Sequence, residues 1–106
     1  MSEADEVVVV LTTWPDVEKA RAAGRTLVEE KLAACANLIP AIESIYRWQG
    51  AVEESAETLM VLKTTRDRYA ALESRIREIH SYEVPEILAL PVTAGLSAYL
   101  RWVLEN

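Results

Sequence analysis

The stretch Ser44-Ile45-Tyr46-Arg47-Trp48-Gln49-Gly50 sets large apolar and aromatic side chains beside a glycine turn. Chain reversals run over the surface and are normally polar, so what covers Ile45, Tyr46 and Trp48 is the first question. Strand character runs from Ile42 to Trp48 and again from Val52 to Lys63, and Gln49-Gly50 joins the two as a hairpin. A straight strand from Ala36 to Trp48 reaches ~43 Å at ~3.3 Å per residue. A compact chain of this length has a radius of gyration near ~13 Å, a sphere roughly 33 Å across. Pro40 bends the strand, yet the hairpin still overshoots its own domain. Leaving Ile45, Tyr46, Trp48 and Val52 in water forfeits ~1.5–3 kcal/mol for each large side chain, and the ribbon edges invite another strand. The expectation is therefore that Ile45, Tyr46 and Trp48 pack on a second copy of the chain; the other outcome is an arm curled back over its own sheet. These considerations do not choose between dimer and trimer.

Outward from the hairpin the elements alternate. Val7 to Leu11 is a continuous apolar run, the mark of a central strand. Pro15 and Asp16 stop it and cap a helix, in which Val17, Ala20, Gly24, Leu27 and Val28 follow the helical period as far as Lys31. Leu32 to Ala36 returns to extended structure. After the hairpin, Thr64-Thr65-Arg66-Asp67 resembles a capping box, opening a helix with Tyr69, Leu72, Ile76 and Ile79 on one face. Ile87 to Leu90 is a last strand closed by Pro91, and Leu96, Tyr99, Leu100 and Val103 give a short amphipathic helix. The order β-α-β-β-α-β plus a terminal helix predicts an α+β, ferredoxin-like split β-α-β fold, with its helices on one face of an antiparallel sheet.

At 106 residues residues 1–106 make one domain. The net charge of −6 argues against nucleic-acid binding, which needs clustered Lys and Arg. No apolar run approaches the ~20 residues of a membrane span. The acidic start MSEADE lacks the basic region of a secretory signal, and residues 1–5 are expected to be disordered. The one cysteine, Cys35, cannot form an intrachain disulfide, which fits a reducing cytoplasm. Enzyme signatures such as G-x-S-x-G, a glycine-rich phosphate loop or H-E-x-x-H are missing, and the expectation is a binding protein without catalysis.

The segments KLAACANLIP (31–40), SIYRWQG (44–50), LKTT (62–65), YEVPEILALPV (82–92) and YLRWV (99–103) resemble the CutA family, the divalent-cation tolerance proteins. The resemblance implies a tight homotrimer in which long β-arms extend the sheets between subunits, and Trp102 is expected at that interface. It further implies a link to divalent metals, notably copper, and a likeness in fold and trimeric state to the PII signalling proteins, which bind small effectors between subunits.

Cys35 and His80 are the strong thiol and imidazole ligand types of the chain, and copper and zinc favour both. No local spacing joins them. A cysteine in an apolar strand also serves as a small core residue. His80 ends a helix, where the dipole favours its charged form, exposed or half-exposed. In the loop after it, Glu83 and Glu86 supply carboxylates. His80, Glu83, Glu86 and Cys35 are thus the candidate ligands for copper or another divalent cation. Lys63, Tyr82 and Pro85 are candidates for an intersubunit cleft taking a small or anionic effector. Some CutA members carry a cysteine where Thr12 stands and a His-His pair where Ile79-His80 stands, so thiolate-type copper binding in their manner is not expected here.

Overall fold

A computed structural model describes residues 3–106. Residues 1 and 2 of the expected disordered segment lie outside the described residues. Glu3–Glu6 instead form a helical turn, α1, because Ala4 buries its methyl against Leu100 and Val103. Strand β1 spans Val7–Trp14, helix α2 Val17–Glu29, strand β2 Cys35–Trp48 and strand β3 Ala51–Thr65. A 3₁₀ turn, Arg66–Arg68, leads into helix α3 (Tyr69–Ile79), then strand β4 (Ile87–Pro91) and helix α4 (Ser97–Glu105).

All pairings are antiparallel and the strand order is β2-β3-β1-β4, the ferredoxin-like arrangement. Alternation along the strands sorts side chains between the two faces. Val8, Val10 and Trp14 of β1 and Met60 and Leu62 of β3 join Ala20, Ala23, Leu27, Leu72 and Ile76 in the main core under α2 and α3. The opposite face is covered at one end only, where α1 and α4 pack on Val7 and Ala34. The helices therefore do not all share one face: the amphipathic stripe Leu100–Val103 needed a second apolar surface and found it at the start of β1. The rest of that face is open, with Ile39 at 46%, Leu88 at 54% and Leu90 at 47% exposure.

Asp16 caps α2 as expected, its Oδ1 accepting from the Lys19 amide at 2.8 Å. The capping box at Thr64-Thr65 does not form. Thr64 Oγ1 donates to the Leu32 carbonyl at 2.7 Å and Thr65 Oγ1 to the Asp67 side chain, so neither hydroxyl accepts from a backbone amide of α3. The bend predicted at Pro40 is a bulge between Ile39 and Ile42, with Ala41 at φ +62°. Beyond it the β2–β3 arm runs on to a turn at Gln49 (φ +51°) and Gly50 (φ +82°). The molecule measures 44 × 26 × 22 Å, well past a sphere of roughly 33 Å. Ile45, Tyr46, Trp48 and Val52 stay exposed in the single chain, so the arm does not curl back.

Candidate functional site

Two polar clusters stand out. The first gathers where α3 ends, the arm leaves the body and β1 stops. His80 follows α3 directly and is buried, 9% exposed, rather than displayed at the helix end. Its ring stacks on Trp14 with centroids 4.1 Å apart and lies 4.7 Å from the Tyr82 ring. Both nitrogens are engaged. Nδ1 accepts from the Tyr82 amide at 3.0 Å, which fixes the proton on Nε2, and Nε2 donates to the Thr13 carbonyl at 2.7 Å. Burial holds the imidazole below its ordinary pKa, against the opposing pulls of the Thr13 hydrogen bond and the Glu57 charge. The dipole effect expected at this helix end is outweighed by desolvation.

Tyr82 carries the cluster on to the arm. Its hydroxyl donates to Glu57 Oε2 at 2.7 Å. Burial, followed by that hydrogen bond and the carboxylate charge, pushes its pKa well above the usual tyrosine value. Glu57 pairs with Ile42 at the bulge and is itself only 9% exposed. Next to this cluster a groove of about 370 Å³ is lined by Glu73, Ser74, Arg77 and Glu78 of α3 with Tyr82, Glu83 and Pro85.

The second cluster lies on the sparsely covered face. Cys35, half-buried, has its Sγ 3.8 Å from the Tyr99 hydroxyl and 3.9 Å from Asn37 Oδ1. Lys63, the register partner of Cys35, donates to the same Asn37 oxygen. Tyr99 stacks on Trp102 at 5.7 Å, and both rings are partly exposed. Desolvation first, then the neighbouring Cys35, raises the Tyr99 pKa.

The family model described as "CutA1 divalent ion tolerance protein" matches residues 8–106. The chain belongs to that family. It is 50% identical over 98 residues to the divalent-cation tolerance protein CutA of Thermus thermophilus, covering 92% of this chain and 95% of that one. To the human protein CutA it is 46% identical over 97 residues, 92% of this chain but 54% of the human one. In three dimensions it matches the crystal structure of CutA1 from Oryza sativa with a TM-score of 0.93 at 38% identity, covering 98% of this chain and 95% of that one.

Within this CutA1-type chain the expected ligands do not converge. Among the described residues no three His, Cys, Asp or Glu side chains gather to hold a metal ion. His80 offers no free lone pair while its ring is held as described. Glu83 and Glu86 are exposed on the loop leading to β4. Cys35 belongs to the second cluster. Thr12 is fully buried under the helices. Of the cleft residues, Tyr82 and Pro85 share a groove. Lys63 stands six positions along β3 from Glu57, ~20 Å away at ~3.3 Å per residue. Sequence reading missed Trp14, Glu57, Asn37 and Tyr99 as cluster members. The one signal for Glu57 was its place immediately before the apolar run Thr58 to Leu62, three positions past the acidic pair Glu53-Glu54.

Proposed function

We propose that this chain works as a homotrimer that binds divalent cations at sites completed between copies, by reversible binding rather than catalysis. The observation that carries the reading is the open sheet face. Ile39, Leu88 and Leu90 expose side chains of the kind the opposite face buries completely, and water contact forfeits ~1.5–3 kcal/mol for each. Glu83 and Glu86 sit on the loop that enters β4, the strand carrying Leu88 and Leu90. When another copy covers this face, those carboxylates lie at the rim of the contact, where a neighbour's oxygens complete a shell for a hard cation. Cys35 is the soft donor suited to copper, and a thiol there suits a reducing compartment such as the cytoplasm. The family's name supports the cation assignment.

Sedimentation at micromolar concentration is expected to give a particle near three times 11.9 kDa. Saturating Cu(II) or Zn(II), at about a hundred times the dissociation constant, raises stability by ~2.7 kcal/mol through linkage. Glu83→Gln with Glu86→Gln weakens binding of the harder cation, and Cys35→Ser weakens copper. A well-folded 11.9 kDa particle, or equal affinities in all variants, overturns the proposal. The groove at Tyr82 and Pro85 supports a second reading, a sensor for a small effector. A thermal-shift panel of small metabolites tests it, with a metabolite-specific rise in Tm as the expected sign.

A further inference from the structure

We propose that His80 is a proton-operated latch fastening the root of the β2–β3 arm to the body of the subunit. The geometry works only with a neutral ring. Nδ1 accepts the Tyr82 amide while Nε2 donates to Thr13. A second proton has one place to go, Nδ1, where it meets the Tyr82 N–H head-on. One of the two groups must then turn away. The residue displaced is the one that holds the arm, because Tyr82 reaches Glu57 with its hydroxyl. Glu57 in turn faces Ile42 across the bulge, where the arm begins. Losing that donor leaves a buried carboxylate without its hydrogen bond, so release of the loop loosens the arm root.

The charges around the ring belong to several elements. Glu57 on β3 acts on His80 itself and favours its cation. Asp16 after β1, Tyr46 on β2 and Glu57 act on Tyr82. Beyond Trp14, Lys19 of α2 and Arg75 of α3 line a separate groove. Burial outweighs the Glu57 attraction, so the neutral form persists below the pH at which a free histidine would charge. The latch is therefore closed above about pH 6.5, the ordinary histidine value, and opens as pH falls below it. The contacts involved lie within one chain.

The chain has one histidine, so its ring resonances identify themselves. Long-range proton–nitrogen spectra of the full chain are expected to show the Nε2–H tautomer at pH 8 and a protonation midpoint below 6.5. Amide protection at Tyr82 and around Ile42 and Glu57 falls at least about tenfold in the same transition. In Tyr82→Phe the amide still meets Nδ1 but the Glu57 bond is gone. Its loop protection keeps the pH dependence, while that of the arm root becomes flat and low. His80→Asn, if folded, removes the transition altogether. Protection that stays constant through the ring's titration in the wild type, or an arm root that still follows it in Tyr82→Phe, overturns the latch.

Discussion

The two faces of the sheet are made from the same strands by the same alternation, yet they meet opposite fates. On one face Val10, Met60 and Leu62 are 0% exposed beneath α2 and α3. On the other, Leu88 and Leu90, one step along β4 from their neighbours, remain about half exposed. Residue type does not distinguish them; the available cover does. A single chain supplies helices enough for one face and for one end of the second. A sequence can therefore specify a complete strand pattern and still leave apolar side chains of one face uncovered within the single chain.

The largest effect expected on this comparison comes from the covered face. Leu62→Ala should lower unfolding free energy by ~2–5 kcal/mol, since it removes a buried side chain and leaves a cavity. Denaturant titration measures it. On the open face, Leu90→Ala costs under ~0.5 kcal/mol if the chain acts alone. If another copy covers it, the cost rises to about 2 kcal/mol, and the transition moves with protein concentration. The second result is expected. A concentration-independent, near-neutral change would leave the open face a true surface.

Body and arm are joined by a contact of intermediate strength. Tyr82→Phe should cost ~1–3 kcal/mol, because it strands a buried Glu57 carboxylate without its donor. Its pH dependence has a definite sign. The folded-state pKa of Tyr82 is raised, so the folded state keeps the phenol proton longer than the unfolded chain does. That stability is present below the ordinary tyrosine value of about 10 and declines as pH rises past it. Absorbance titration should find one tyrosine ionising last, and that signal should be absent in Tyr82→Phe.

What could be read in the sequence was what neighbours in the chain decide. Alternation and length gave the arm its overshoot, Pro40 marked the bulge, and Asp16 before Val17 gave a cap. The environment of His80 was hidden for the converse reason. A histidine at a helix end reads as exposed, and its cover comes from Trp14 on a strand far away in sequence. The hydroxyls of Thr64 and Thr65 had local rules in their favour, but Leu32 and Asp67 offered partners that no spacing announces. The acidic start concealed Ala4, whose burial depends on a helix at the opposite terminus. The candidate ligands were legible as residue types. That no three of them gather among the described residues was not legible, because tertiary packing, which spacing does not announce, sets Cys35 beside Tyr99 and buries His80 against Trp14.

The smallest expected effect measures how closely the covered face is packed. Gly24 lies inside α2, where a methyl in its place would stand 3.4 Å from Ala36 Cβ, 3.4 Å from Met60 Cε and 3.9 Å from Leu38 Cδ2. Those are ordinary contact distances, and the Met60 terminus can swing. Alanine favours a helix interior over glycine by about 1 kcal/mol, so Gly24→Ala should stabilise by ~0.5–1 kcal/mol. A still larger side chain has no such room. Gly24→Val should push α2 off the sheet and cost ~1–3 kcal/mol through overpacking. Opposite signs for the two variants, read from denaturation midpoints at constant slope, would locate the gap between helix and sheet to within one methyl. A loss from alanine as well would mean that α2 already rests on the strands without slack, so the covered face admits no atom where the open face, in a lone chain, admits many.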